Sequence, residues 1–275
     1  MQMDSLTEAV NALSSDDHTQ GYQSVSIVRH INHTLEVGYD DVVEESPVAL
    51  IYNGISHAVM MATPLDLEVF AIGFSLTEAI IDHPRQIYDI EIIRNDLGVQ
   101  VEITIASEAF VKLKMHKRTL AGQTGCGICG IESLEQIQHN FSPVTHEFSC
   151  YWLDQISEAL AQLQQQQFIS SITGGAHAAA WVVNGKILNV FEDVGRHNAL
   201  DKLLGYLVKN NVDRSQGFVL MTSRASYELV KKCVQLNISL LATISAPTSL
   251  AIELAKRSGL KLVSFCRQSR YVVYS

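Results

Sequence analysis

The chain has 275 residues, 47% of them hydrophobic, and a formal charge of −9. That is enough apolar material for one large domain or two closely packed ones, and the acidic balance argues against nucleic-acid binding over the whole surface. No run approaches the roughly 18 consecutive apolar residues of a membrane span, and the polar start MQMDSLTEAVNALSSDDHTQ lacks the marks of a secretory or transit signal, so a cytoplasmic location is expected.

Residues 1–24 read as a loosely held polar tail. Alternation at period two then predicts strands at Val25–Arg29, Leu35–Val43 and Val48–Tyr52, with Asn53-Gly54 turning into a returning strand at Ser56–Met61. Thr63-Pro64 has the chemistry of a helix start, and Leu67, Phe70, Ala71 and Phe74 follow at helical spacing. Ser75-Leu76-Thr77-Glu78 fits a capping box for a second short helix ending near His83-Pro84. A hairpin is expected from Tyr88–Arg94 and Val99–Ile105 around Asn95-Asp96-Leu97-Gly98.

Beyond residue 150, Trp152, Ile156, Ala159, Leu160 and Leu163 mark one face of a helix. A strand at Phe168–Ile172 leads into Thr173-Gly174-Gly175, and strands at Ala178–Val183 and Ile187–Phe191 flank Asn184-Gly185. Helices and strands then alternate, with strands at Phe218–Thr222, Leu240–Thr243 and Leu260–Phe265 and helices at Tyr227–Leu236 and Thr248–Arg257. The pattern predicts an α/β core with a mixed, largely parallel sheet at 149–275, preceded by a smaller β-rich α+β part at 25–148.

Ligands of open α/β sheets bind beyond the carboxyl ends of the strands. The residues expected there are Thr173-Gly174-Gly175, Glu192–His197, Ser223-Arg224, Ser245–Thr248 and Cys266–Arg270. Glycines and small hydroxyls admit a ligand to backbone N–H groups at helix starts, and arginines add planar, charge-assisted bonds. The set suits an anion with several acceptor oxygens, such as a nucleotide diphosphate, with Arg224, Arg267 and Arg270 as its cationic handles. His177 and His197 fit either a site role or structural hydrogen bonding.

Two of the five cysteines lie in Gly125-Cys126-Gly127-Ile128-Cys129-Gly130. Alternating glycine favours an exposed, bendable loop, and an odd number of cysteines in a chain this long does not make a disulfide framework. Lys112, Lys114, His116, Lys117 and Arg118 precede the loop, and cations near a thiol favour the reactive thiolate. Sulfur carriage as a persulfide, thiol–disulfide exchange and zinc binding all use such a pair. The glycine after Cys129 disfavours the helix of a thioredoxin-type motif. Zinc would need further ligands from His139, His146 or Cys150 at a spacing of no common knuckle. A zinc deaminase is excluded: no His has Glu two residues later, and Gly125 stands where Pro would precede Cys126. Cys233 reads as helix core.

TGCGICG (124–130), TGGAHAAA (173–180), EDVGRHNALDK (192–202), TSRASYELV (222–230), ISAPTSLAIELA (244–255) and FCRQSRYVVY (265–274) together resemble the FdhD family of sulfur carrier proteins. ESPVALIYNG (45–54) and TPLDLEVFAIGF (63–74) extend the likeness over nearly all the chain after the tail; Ala79 and Ser223 depart from frequent glycines. The resemblance implies a cytidine-deaminase-like core without deaminase chemistry and without a resident catalytic metal. It implies a sulfurtransferase of the persulfide-carrier type. Cys126 would take sulfur from a cysteine desulfurase, Cys129 would assist, and the acceptor would be the bis(molybdopterin guanine dinucleotide) molybdenum cofactor required by formate dehydrogenase. It further implies that Phe265, Cys266, Arg267, Gln268, Ser269 and Arg270 bind that cofactor, and that the protein is a homodimer. Read from the residues alone, a CxxC disulfide oxidoreductase and a cofactor-binding chaperone without covalent sulfur transfer remain the alternatives.

Overall fold

The computed structural model describes residues 20–121, 142–268 and 270–275, with only the backbone for 116–121. Among the described residues, three sheets organise the fold. Strands β1 (Tyr22–Ile31) and β2 (Thr34–Val43) form a long hairpin; β3 (Ser46–Tyr52), β4 (Ile55–Ala62), β5 (Ile87–Asn95) and β6 (Gly98–Ile105) form a sheet ordered β4-β3-β6-β5. Helix α1 (Leu67–Thr77) lies between β4 and β5, and α2 (Ser107–Ala121) follows β6.

The second part opens with α3 (Tyr151–Gln166) and α4 (Phe168–Thr173). It continues through β7 (His177–Val183), β8 (Lys186–Asp193), α5 (Arg196–Lys209), β9 (Phe218–Met221), α6 (Tyr227–Gln235), β10 (Leu240–Thr243), α7 (Ser249–Ser258), β11 (Lys261–Arg267) and β12 (Arg270–Val273). Its sheet is mixed, as expected, in the order β12-β11-β10-β9-β7-β8. Strands β9, β10 and β11 are parallel, while β7, β8 and β12 join antiparallel. Successive side chains of this sheet face opposite ways. Ala178, Ala180, Val182, Leu220 and Ala242 pack with Trp152, Ile156, Ala159 and Leu163 of α3. Ala179, Trp181, Val219, Met221 and Leu241 join the core formed by α1, α5, α6 and the four-stranded sheet.

Helix α1 is apolar nearly all round, as expected of a helix buried on several sides: Leu67, Phe70, Ala71, Ile72, Phe74 and Leu76 are all buried. It packs against β5 and β6 and also against α5 and α6. Its crossing with α5 has glycine on both sides. A methyl group at Gly73 would collide with the carbonyl of Asp201, and one at Gly205 with the carbonyl of Val69. The backbones therefore meet directly, and one core joins the earlier and later parts of the chain.

Four local expectations are corrected. The predicted strand at Phe168–Ile172 is α4. Its Phe-Ile-Ser-Ser-Ile pattern suits a strand, but the Glu192 carboxylate accepts from the N–H groups of Ile169 and Ser170 at 2.8 and 2.9 Å and satisfies the helix start. Gly174, left-handed at φ 66°, closes the other end. The predicted second helix from Ser75 does not form, because α1 runs on through Thr77. The Ser75 hydroxyl donates to the Ala71 carbonyl at 2.6 Å, Thr77 donates to Asp201 at 2.8 Å, and Glu78 meets Lys232 at 2.7 Å. These side chains serve tertiary contacts instead of a cap.

Helix α1 also starts at Leu67, not at Pro64, because Thr63 is engaged with the β8–α5 loop. Finally, the last strand turns back as β12, which the sequence pattern did not reveal. Among the described residues, no helix is long and apolar enough to cross a membrane.

Gly205→Ala tests the helix crossing. It should lower unfolding stability by about 1–3 kcal/mol, the usual range for overpacking, read as a drop in the urea midpoint at unchanged slope. A midpoint equal to wild type would mean that α1 and α5 do not meet backbone to backbone.

Candidate functional site

The mixed topology gathers all five polar segments. Parallel β9, β10 and β11 deliver Ser223-Arg224, Ser245–Thr248 and Cys266–Arg267 to one edge. Because β7 runs antiparallel to β9, its beginning lies at that edge, and β8 ends there, with His177 opposite Asp193. Thr173-Gly174-Gly175 thus reaches the edge ahead of a strand, not after one. The edge is stitched by backbone bonds: Ser245 donates to Ser223 (3.3 Å), Ala225 to Ala246 (3.1 Å), Thr248 to Ala225 (2.9 Å) and Phe265 to Ser245 (3.2 Å).

The β8–α5 loop is held from below by a buried ion pair. Asp193 and Lys202, both wholly enclosed, meet at 2.7 Å. Asp193 also accepts from the N–H of Thr63 and Gly195 and from Asn198 Nδ2 at 3.1, 2.8 and 2.9 Å. Lys202 donates to the carbonyls of Thr63 and Glu192 at 3.1 and 3.2 Å. Asn198 donates to the Met61 carbonyl, and the Thr63 hydroxyl accepts from the Val194 N–H. A second buried cluster joins Lys232 to Asp201 at 2.9 Å and to Glu78 at 2.7 Å. Asp193, Asn198 and Lys202 of EDVGRHNALDK therefore position the loop, Glu192 bonds to α4 and Asp201 to the Lys232 cluster, and Arg196 and His197 are left half-buried at its surface.

At the opposite end of the edge, β11 and β12 enclose a pocket of about 380 Å³ lined by Phe265, Arg267, Arg270, Tyr271 and Val272. Arg267 and Arg270 stand opposite each other in the strand register. Like charges so paired repel, and an anion between them relieves the repulsion. The pairing slips between Ser264 and Arg267. Within that bulge Phe265 adopts φ 54°, and in the turn just after it Gln268 adopts φ 44°, a region bulky side chains rarely occupy and one found at functional sites.

Of the residues singled out in the sequence, Phe265, Arg267 and Arg270 come together at the pocket. Gln268 is exposed at the turn, and Arg224 is exposed beyond β9. Cys266 is buried among the α3-facing residues, and burial pushes its thiol up to about 12. Ser269, Cys126 and Cys129 lie outside the described residues. Of the cations before the cysteine loop, Lys112 pairs with Asp82 at 2.6 Å and Lys114 lies 4.2 Å from the centre of the Phe110 ring. The side chains of His116, Lys117 and Arg118 lie outside the described set. Tyr271 and Val272 were missed as pocket residues, although the alternation after Arg270 is a strand signal.

With the geometry in place, comparison with known proteins gives a consistent answer. The sequence profile of the FdhD/NarQ family matches residues 43–275. The chain belongs to the FdhD/NarQ family. The sulfur carrier protein FdhD of Acinetobacter baylyi is 84% identical over 99% of this chain and 100% of its own length. That of Chromobacterium violaceum is 49% identical over 96% of this chain and 100% of its own. A crystal structure of a candidate formate dehydrogenase accessory protein from Desulfotalea psychrophila superposes with a TM-score of 0.73 at 25% identity, covering 92% of this chain and 96% of that one. In this FdhD/NarQ chain Asp193, Asn198 and Lys202 of EDVGRHNALDK serve as scaffold for the β8–α5 loop.

His197 supplies a pH test. Burial, and then the charges of Arg196 and Lys232, hold its imidazole down to about 4 from an ordinary 6.5. A folded-state value below the unfolded one means stability is fully present above pH 6.5 and is lost as pH falls towards 4. Allowing for its partial exposure, the loss is on the order of 2 kcal/mol. Urea unfolding at a series of pH values should show this decline in wild type and a shallower one in His197→Gln. Parallel curves would refute a neutral, buried His197.

Proposed function

We propose that the protein is a sulfur carrier acting in formate dehydrogenase maturation. In this reading Cys126 thiolate attacks the terminal sulfur of a cysteine desulfurase persulfide. The desulfurase cysteine leaves as thiolate, and Cys126 carries the transferred sulfur. For release, Cys129 thiolate attacks the inner sulfur of the Cys126 persulfide. A Cys126–Cys129 disulfide forms and hydrosulfide leaves, so the two electrons come from the cysteine pair. A thiol reductant then restores the thiols.

The acceptor in this reading is the bis(molybdopterin guanine dinucleotide) molybdenum cofactor, which is the substrate of the transfer and not a resident group. The observation that carries its assignment is the β11–β12 pocket, where facing Arg267 and Arg270 stand beside Phe265 and Tyr271. The arginines suit a diphosphate, and aromatic rings offer faces to a purine. The volume of about 380 Å³ lies within the range of small-molecule sites. The resemblance of the sulfur carrier relatives supports the same reading. A homodimeric assembly belongs to this proposal too.

Incubation with a cysteine desulfurase and cysteine should add one sulfur to the intact protein, removable by cyanide and absent in Cys126→Ala. Accumulation of an internal disulfide alone would instead favour a disulfide oxidoreductase. Cys126→Ala should also abolish maturation of formate dehydrogenase; retained maturation would favour a non-covalent chaperone. Calorimetric titration with GDP should show affinity falling about tenfold, near 1.4 kcal/mol, in Arg267→Ala. Equal affinity would remove the C-terminal hairpin from the binding site.

A further inference from the structure

Arg196 opens α5 at the same edge but far along it from the β11–β12 pocket. The enclosed cations below it are matched, Lys202 by Asp193 and Lys232 by Asp201 and Glu78. Among the described residues Arg196 has no ion pair, and its Nε is buried without a hydrogen-bond partner. The carboxylates of its own loop are engaged elsewhere: Glu192 faces the start of α4, and Asp193 serves Lys202 and the backbone.

Two imidazoles accompany Arg196. His177 stands opposite Asp193 in the strand register, three residues before Arg196 in the loop. His197 follows Arg196; its Nε2 is buried without a hydrogen-bond partner and lies 4.0 Å from Glu228 Oε2, the α6 carboxylate whose charge also acts on Arg196. Burial, and then the Arg196 charge, lowers both imidazoles, keeping them neutral near pH 7. Each then retains one N–H donor. The residue preceding α5 is Gly195, which provides no side-chain cap to the helix start. An unpaired guanidinium with two neutral imidazole donors at an uncapped helix start is a donor set for an oxyanion.

We propose that Arg196, His177 and His197 form a second oxyanion subsite, distinct from the β11–β12 pocket. Three to four strand spacings, about 14–19 Å, separate β11 from β7 and β8. One diphosphate cannot reach both places. Resting on the reading given under Proposed function, the β11–β12 pocket holds the nucleotide end of the acceptor, and the Arg196 subsite receives its other, oxyanion-bearing end.

The test uses inorganic phosphate and the full chain. In a variant carrying Arg267→Gln and Arg270→Gln, calorimetric titration should still show saturable binding of one phosphate per chain. Adding Arg196→Gln should weaken it at least tenfold, and Arg196→Lys should fall between, since it keeps the charge without the planar fork. Absence of saturable binding in the double variant, or an unchanged affinity on adding Arg196→Gln, overturns the subsite. Thermal unfolding of each variant, expected to match wild type, confirms that an intact fold is being titrated. GDP titration separates the two ideas: Arg196→Gln alone should leave GDP affinity within twofold of wild type, and a larger loss would make the two places one site. Failure of wild type to bind GDP would sink the nucleotide-pocket reading while the phosphate result stands.

Discussion

The site depends on the buried contact between Asp193 and Lys202. Two charges removed from water are tolerable only when their remaining hydrogen-bonding capacity is filled, and here it is filled by the backbone of Thr63, Glu192 and Gly195 and the amide of Asn198. Thr63 belongs to the segment just before α1, so the pair binds the β8–α5 loop to the earlier part of the chain as well as to its own helix. Adjacent carboxylates divide the work: Glu192 caps the start of α4, and Asp193 fixes the loop. Arg196 is left at the surface because neither turns towards it.

A second constraint is directional. Had β7 and β8 followed the parallel strands, Thr173–Gly175 and Glu192–His197 would not both have come to the functional edge. Their antiparallel hairpin sends the chain away from that edge and straight back. The edge therefore collects segments from beside both ends of one hairpin as well as from the parallel strands. It places the Arg196 group near one end of the sheet and the Arg267–Arg270 group near the other. A long ligand with chemically different ends suits such an edge better than a compact one.

Elements with a local cause were legible in the sequence. Alternation with Asn53-Gly54 and Asn184-Gly185 located β3–β4 and β7–β8, and helical spacing located α3. What failed was decided from a distance. Phe168–Thr173 carries a strand-like pattern, yet its helix is completed by Glu192, which sequence proximity does not reveal. Ser75, Thr77 and Glu78 have the chemistry of a helix start, but Tyr52, Asp201 and Lys232 draw them into tertiary bonds. The candidate edge was legible because strand ends are easy to find. The pocket wall at Tyr271 and Val272 was not, since the turn before it was read only as a binding loop. The roles of Asp193 and Lys202 inside EDVGRHNALDK were also invisible, because a motif does not say which of its polar residues face inward.

The glycine crossing of α1 and α5 has a consequence for biosynthesis. Helix α1 leaves the ribosome long before α5 exists, with apolar side chains on nearly all its flanks and only the four-stranded sheet to shelter some of them. At roughly 5–20 residues per second its partner follows on the order of ten seconds later. Throughout that interval the nascent polypeptide displays a greasy rod, and its first hazard in the cell is thus a waiting time, ended only when translation supplies the opposing glycine.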